Sequence, residues 1–492
     1  MGKYSVPEEI RSLKPKGTIV KKIKNNYYVY SHSQRKDEKT GRWKTAPGSL
    51  LGKIVPGVGY CPNTGSTDHV DRMTCFDCGE YLLAFGLARD EYGLLLRVFN
   101  PDEAMVIFFL ATLYSIDGFV GIRTAESEFE RSLLHRDYPE LHFSYHIVSK
   151  LLELIGRTGK QAEFQRLASS TATTVAIDGH VIPTFSEDNG LASIVYKSKT
   201  IGCTYMNLMV ALDVTSLQPI ATHVFPGYML DKSDFASFCT MIGDVSGTIF
   251  LVDMGFFSQE NIDYIKSKES YYVIPVSENR KEYKAITKGD RGRPSQFLYH
   301  RNRKGDTVEF HERTIEGRRC ILFRNITEAE KFSTMYLQAI ESGRQGYSAD
   351  GYAKIKDSLG VIVLETNLDR SPKEIYELYK SRWTIETYYD RLKNGIHFEA
   401  LNLDDYAVTQ GLAFVMMVAG RIDARILEAS RKTKMSRREL LQLMKYIKLY
   451  DDGKTPRILN MKKRHQEVLS QLGITIDTSR KCLDGNALYL TF

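Results

Sequence analysis

Four side chains in the last third of the sequence stand at a spacing that could do chemistry. Tyr379, Arg382, Glu386 and Lys393 lie at offsets that place them within an arc of roughly 60° on an α-helix turning about 100° per residue. One narrow stripe then carries a phenol, a guanidinium, a carboxylate and an ammonium. The adjacent arc carries Leu378, Ile385, Tyr388, Tyr389 and Leu392, an apolar face that calls for burial. Two more carboxylates stand out upstream: Asp178 inside the apolar run 175–182, and Asp253 closing the run 247–253. A carboxylate on a buried strand is costly unless it is paired or bound to a metal. Three carboxylates beside Arg and Lys suit phosphoryl transfer on two divalent ions. Hard cations such as Mg2+ take oxygen ligands and few protein carboxylates. Two of them, ~3.5–4 Å apart, activate an attacking oxygen and stabilise a leaving one. Arg382 would grip phosphate with a planar fork and Lys393 as a point charge. Taken singly, each residue has a plainer reading. Glu386 and Arg382 make an i, i+4 surface pair worth ~0.2–0.5 kcal/mol, and either Asp makes a cap or turn residue.

These groups meet only if the right elements carry them. The pattern predicts strands at 175–182, 205–212, 219–225, 247–253, 271–275 and 360–365, with a helix at 259–267 between the last two acid-side strands. A long helix starts at Ser371-Pro372, where Ser suits the N-cap and Pro the first helical position, and a second helix covers 408–428. Upstream, 27–30 reads as a strand, 39–42 as a turn and 79–170 as helical, with Tyr145, Val148, Leu151, Leu152 and Ile155 at helical spacing. Residues 277–360 are basic and turn-rich, with β-like pieces at 297–299 and 320–323.

The whole chain has 492 residues and 56.1 kDa, which at ~100–200 residues per domain means roughly three units. Hydrophobic residues at 42% and charged residues at 26% exclude a collagen-like, disulfide-scaffold or wholly disordered chain. The net charge of +7 hides a segregation: blocks 1–50, 278–304 and 431–464 carry +8, +6 and +9, leaving −16 on the rest. Such segregation points to a polyanion touched at several places, against the plainer reading of solvated lysine-rich surface. Seven irregularly placed cysteines fit a reducing cytosol. Residues 1–17 show no apolar signal-peptide region, and the longest apolar run, 104–113, falls short of the ~20 residues a bilayer needs. The expectation is a soluble, cytoplasmic protein.

Tyr379-x2-Arg382-x3-Glu386-x6-Lys393 resembles, in identity and spacing, the Tyr-Arg-Glu-Lys signature of DDE transposases from bacterial insertion sequences. Asp253-Met254-Gly255-Phe256 resembles that family's second-acid motif, and Ala176-Ile177-Asp178-Gly179 its first-acid strand; the resemblance runs in order over about 170–430. It implies an α/β fold with an RNase H-like catalytic core, a mixed sheet flanked by helices. A β-rich insertion interrupts that core, and a small β segment and a helical N-terminal domain precede it. The division expected is 1–58 basic β-rich segment, 59–170 helical DNA-binding region, 171–276 first part of the core, 277–360 insertion, 361–430 catalytic helix and end of the core, and 431–492 basic C-terminal region.

The resemblance implies Asp178, Asp253 and Glu386 as catalytic, metal-binding residues, with Mg2+ or Mn2+ as two ions. It implies DNA contacts for Tyr379, Arg382 and Lys393. It implies double-stranded DNA as partner, both element inverted repeats and target, a homodimer when DNA-bound, and a bacterial, nucleoid-associated location. The expected activity is binding of element ends, cleavage, and joining of 3′-hydroxyl ends to target DNA. An RNase H-fold nuclease without strand transfer and an inactive DNA-binding relic remain the alternatives. In some relatives a Trp of the insertion stacks on a flipped base. Here the two Trp residues, Trp43 and Trp383, lie outside it, so Phe297, Tyr299 or Phe310 are the candidates for that stacking.

Other motifs are weaker. Arg291-Gly292-Arg293-Pro294 matches the core of an AT-hook, whose arginines enter a narrow A·T minor groove, with a basic loop as the plainer reading. Cys61, His69, Cys75 and Cys78 are candidate zinc ligands because Cys75-x2-Cys78 has ligand spacing; cysteines at a helix start are the alternative. His180 shares a strand face with Asp178 and reads as a satisfied core histidine or a support to the acid. Gly453-Lys454-Thr455 lacks the upstream glycine of a phosphate loop.

Overall fold

A computed structural model describes residues 6–24, 26–36, 43–62, 75–186, 189–193, 203–228, 231–288, 294–300, 305–396, 403–451 and 456–474. Two units divide the chain, Met1–Thr74 and Cys75–Phe492.

In the first unit the helix Glu8–Ser12 precedes an antiparallel sheet of β1 (Thr18–Ile23), β2 (Asn26–Lys36), β3 (Trp43–Val55) and β4 (Gly59–Pro62), paired in chain order. The aromatic and β-branched run at 27–30 forms β2. Ile10, Val29 and Ile54 make a small core. A Cβ on Gly52 would meet the Cys61 carbonyl oxygen at 2.3 Å, so glycine is what lets β3 and β4 close there. Lys21 and Lys24 are exposed, and the Lys22 ammonium lies 5.6 Å from the centre of the Tyr27 ring. The expected turn at 39–42 lies outside the described residues.

The second unit opens on β5 (Cys75–Asp77) and seven helices between Gly79 and Ser169. The helix Pro101–Asp117 carries the longest apolar run of the chain and is buried for most of its length. Asn100 and Glu103 form a reciprocal cap at its start. Among the described residues no single helix is long and apolar enough to cross a membrane.

A nine-stranded sheet follows. β6 (Thr174–Thr184), β7 (Thr204–Asp213) and β8 (Gln218–Pro226) form an antiparallel meander. β9 (Ile249–Val252) returns beside β6 and parallel to it, and β10 (Tyr271–Pro275) lies parallel to β9. The core order β8-β7-β6-β9-β10, three antiparallel strands followed by two parallel ones, is the RNase H-like arrangement. The parallel strand β9, Ile-Phe-Leu-Val, is buried on both faces, which is why it reads as a continuous apolar run.

The insertion joins this same sheet. β11 (Ser295–His300), β12 (Gly305–Ile315) and β13 (Arg318–Asn325) form two hairpin pairings, and β13 pairs with β14 (Val361–Thr366), which pairs with β10. Between β13 and β14 lie the helices Ile326–Glu341 and Ala349–Ile355, which sequence periodicity did not reveal in a region read as turn-rich and β-like. The first is started by Asn325, whose side chain accepts from the Glu328 N–H; that cap was a legible signal.

The long helix Tyr406–Thr433 fastens the helical region to the sheet. It crosses the helix Tyr145–Arg157 at backbone contact: a Cβ on Gly156 would meet the Ala407 carbonyl oxygen at 1.9 Å, and one on Gly411 the Leu152 oxygen at 2.1 Å. It also covers the exposed edge of β8. The Gln410 side chain accepts from the Val224 N–H (3.1 Å) and donates to the Val224 carbonyl (2.6 Å), while Gln161 and Gln165 donate to the Thr222 carbonyl. Side-chain amides thus stand in for a missing neighbour strand. The basic C-terminal block is docked as well, with β15 (Lys448–Tyr450) pairing both β5 and β16 (Arg457–Leu459) and Lys445 bonding Asp117 at 2.6 Å.

His223, on β8 against Phe225 and Gln410, is held by burial at a pKa of about 4, down from 6.5. The unfolded chain therefore binds a proton that the folded chain refuses between those values. Stability that is full above pH 6.5 falls as pH drops towards 4, by up to about 1.4 kcal/mol per pH unit from this group. His223→Gln should flatten that slope, read as the difference between variant and parent in denaturant midpoints at pH 7, 6 and 5.

Candidate active site

Strand alternation aims both acids to one side. On β6, Val175 and Ile177 pack into the cluster with Phe235 and Phe238, so Ala176 and Asp178 face the opposite way. On β9, Phe250 and Val252 join that same cluster while Leu251 faces the other side, and Asp253 follows Leu251 in phase. The parallel register ends on Ile177↔Val252, which puts Asp178 and Asp253 next to one another on neighbouring strands at the point where β9 stops. Asp178 is held in part by the Gly179 N–H, which donates to its Oδ1 at 2.9 Å.

The third acid comes from the element that covers this face. The helix Pro372–Ser381 begins with the expected cap: Ser371 and Glu374 bond reciprocally, with Pro372 in the first turn. The expected single long helix is instead two, Pro372–Ser381 and Trp383–Asn394, joined at Arg382. There the hydrogen bonds tighten to three-residue spacing, Arg382 N–H to the Tyr379 carbonyl and Ile385 N–H to the Arg382 carbonyl, each 3.0 Å. Ile385, Tyr388, Tyr389 and Leu392 are buried against the sheet, as their arc predicts.

Arg382 is the hub. Its side chain is 11% exposed, with Nη2 2.6 Å from Glu386 Oε1 and Nη1 3.9 Å from Asp178 Oδ2. Its guanidinium carbon lies 5.9 Å from the centre of the Tyr379 ring. Burial works against the guanidinium charge, but Tyr379, Asp253, Asp178 and Glu386 together raise its pKa. Burial pushes the Tyr379 phenol up, with Asp253 adding to the shift and Arg382 opposing it. The structure thus brings Tyr379, Arg382, Glu386, Asp178 and Asp253 into one cluster. Lys393 does not join it: it is exposed, near the far end of the helix Trp383–Asn394.

Two further residues belong to this site. Tyr389, read from sequence as core, sets its hydroxyl 2.8 Å from the Asp178 carbonyl oxygen and 3.2 Å from that of Leu208. A tyrosine rather than phenylalanine on a buried face was the available signal. His180 is exposed, not a core histidine, and its ring stacks on Tyr389 at 5.1 Å.

The three carboxylates offer only oxygen, the donor chemistry of a hard divalent cation. One guanidinium against three carboxylates leaves the cluster anionic, so donor type and charge both fit such an ion. Among the described residues no three His, Cys, Asp or Glu side chains already stand grouped at ligand spacing. Arg382 stands between Asp178 and Glu386, so an ion shared by those two acids requires the guanidinium to leave Glu386.

The other candidate residues lie away from this cluster or outside the described residues. Phe297, Tyr299 and Phe310 are partly buried: Phe297 and Tyr299 pack on Tyr376 at 5.7 and 5.2 Å, and Phe310 on Phe323. Phe297 and Tyr299 thereby pack the insertion against the helix Pro372–Ser381 while keeping part of their surface exposed. Cys78 is buried at the start of the helix Gly79–Leu87, where burial, then Asp137 and Glu80, push its thiol up. Cys61 lies in the first unit and Cys75 is exposed on β5; His69 and the arginines of the AT-hook match, Arg291 and Arg293, lie outside the described residues, as does Gly453-Lys454-Thr455.

Comparison with known proteins bears on the same region. A sequence model of the family described as "Transposase DDE domain" matches residues 169–419. The transposase for insertion sequence element IS231B of Bacillus thuringiensis subsp. berliner is 24% identical over 252 residues, 47% of this chain and 50% of its own length. The transposase for element IS231D of Bacillus thuringiensis subsp. finitimus is 24% identical over 251 residues with the same coverage. The chain therefore spans about half the length of the curated relatives it matches. A solved piggyBac transposase synaptic complex with hairpin DNA is similar with a TM-score of 0.40 and 11% identity, over 80% of this chain and 84% of that one.

Proposed function

We propose, from the premise that the chain belongs to the transposase DDE domain family, that it binds the inverted-repeat ends of its own element, cuts DNA there and joins the freed 3′-hydroxyl to target DNA. The observation that carries this reading is the register of β6 and β9, which sets Asp178 beside Asp253 under the helix that brings Glu386 and Arg382. Asp178, Asp253 and Glu386 would hold Mg2+ or Mn2+, which when bound supplies Lewis acidity at the scissile phosphate. Arg382, released from Glu386, is placed to turn its fork to a phosphate oxygen. Tyr379 can donate its phenolic proton, kept in place by the raised pKa, to a second oxygen. Lys393 lies outside the acid cluster and would meet the backbone farther along the strand. Joining two ends calls for two copies of the chain, each holding one end.

Duplex DNA carrying the element's inverted repeats, incubated with a target plasmid, tests the reading. Nicks at the repeat ends and joined products should form with Mg2+ or Mn2+ and vanish in EDTA. Nicks without joined products would leave a nuclease, and binding without cleavage under either metal would leave a DNA-binding relic.

Tyr389 gives a finer test of the site. Tyr389→Phe keeps the ring and its stack but drops the hydroxyl held at the Asp178 carbonyl, so the β6 backbone loses a tether. Cleavage should slow about tenfold through the rate at saturating DNA, with DNA affinity unchanged. A wild-type rate would make that hydroxyl a packing detail.

A further inference from the structure

His180 has the marks of a substrate-binding residue that the family's acid and Tyr-Arg-Glu-Lys motifs do not include. It sits two residues beyond Asp178 on β6, hence on the same face and about 7 Å further along. At that level β6 has already outrun β9, whose pairing ends at Val252, while β7 still pairs with it on the other side at His180↔Leu208. The histidine therefore stands at the mouth of the acid cluster. Its imidazole is exposed, yet fixed in orientation by its stack on Tyr389, 5.1 Å between centroids and 29° between planes. Among the described residues neither ring nitrogen has a hydrogen-bond partner. One helical turn after Tyr389 stands Lys393, on the same side of its helix.

We propose that His180 and Lys393 together form a phosphate clamp, in which the imidazole N–H and the Lys393 ammonium grip one phosphodiester of the DNA strand next to the one held at Asp178, Asp253 and Glu386. This rests on the transposase reading and deepens it, since it names a binding residue for the same substrate. The clamp fixes the strand's direction of travel through the site: from the acids at the end of β9, out along the overhanging part of β6, to the exposed end of the helix Trp383–Asn394. Tyr389 serves both halves, tying Asp178 by its hydroxyl and His180 by its ring face.

Three variants test it. His180→Phe keeps the stack and removes the donor; His180→Gln restores a donor without the ring; His180→Ala removes both. Affinity for an inverted-repeat duplex is measured in EDTA, so that no turnover intervenes, together with metal-dependent nicking and thermal unfolding. The expected result is a loss of about tenfold in affinity for His180→Phe and His180→Ala, recovery to within about threefold for His180→Gln, and unchanged unfolding temperatures. In nicking, the loss should appear in KM rather than kcat. His180→Phe that binds and nicks like the parent overturns the clamp, as does His180→Gln no better than His180→Phe. Affinity lost only where the unfolding temperature drops also overturns it, because the ring would then be structural. The parent protein is the control for the underlying reading: if it neither binds nor nicks the duplex, the transposase assignment falls and the clamp with it.

Discussion

Glu386→Gln should abolish metal-dependent nicking of inverted-repeat DNA, lowering its rate by roughly a thousandfold or more, which is about 4 kcal/mol of transition-state stabilisation. The change replaces one carboxylate oxygen by an amide nitrogen, keeping volume and helix propensity. The amide still offers an oxygen to Arg382, whose side chain is 11% exposed and keeps the Asp178 carboxylate 3.9 Å away as a counter-charge. Folding and DNA binding in EDTA should therefore stay within a few-fold of the parent while cleavage disappears. Asp178→Asn and Asp253→Asn should behave alike, because the β6–β9 register makes these two acids a pair. Equal nicking by Glu386→Gln and the parent would reduce Glu386 and Arg382 to the i, i+4 surface pair that their spacing also allows.

Arg421→Met has the largest expected effect on stability. Glu91 is fully buried and its carboxylate meets Arg421 Nε at 2.6 Å, Arg425 Nε at 3.4 Å and Gln218 Nε2 at 3.3 Å. Arg421, 5% exposed, also donates to the Pro219 carbonyl at 3.0 Å, which joins the long helix to the start of β8. Removing one partner of a buried pair leaves a charge without its counter-charge, a loss of about 3–5 kcal/mol. Arg425 compensates in part, so the lower end of that range is expected in urea unfolding at pH 7. The double variant Glu91→Gln/Arg421→Met should recover much of the loss, since no ionised group then remains buried. A loss below about 1 kcal/mol for the single variant would mean that Arg425 alone suffices.

Much of the candidate site is legible in the order of residues along the chain. Acid-bearing strands announce themselves because a central strand is apolar on both faces, so a carboxylate within or just after one is conspicuous, as with Asp178 and Asp253. The Ser371-Pro372 start is legible because a cap is made by residues three apart. The buried arc of Ile385, Tyr388, Tyr389 and Leu392 is legible because helical period is a local property. The meander β6, β7 and β8 and the strands β9 and β10 are equally local in their patterns.

What lay beyond the sequence is long-range. That Asp178 stands beside Asp253 depends on the pairing of β6 with β9, and strands of similar composition do not name their partner or register. The insertion's place in the same sheet depends likewise on β13 meeting β14. Phe297, Tyr299 and Phe310 look like surface aromatics in a basic segment; Tyr376 and Phe323, brought up by the fold, cover part of each. The break at Arg382 is likewise absent from the helical period, which runs through it. Tyr389 has a hydroxyl whose meaning appears only when the Asp178 carbonyl comes within reach. Local chemistry determined the residue types, the elements and the cluster's charge. Tertiary pairing alone decided which groups face one another, because the free energy that selects a partner strand is shared across the whole sheet and carried by no single segment.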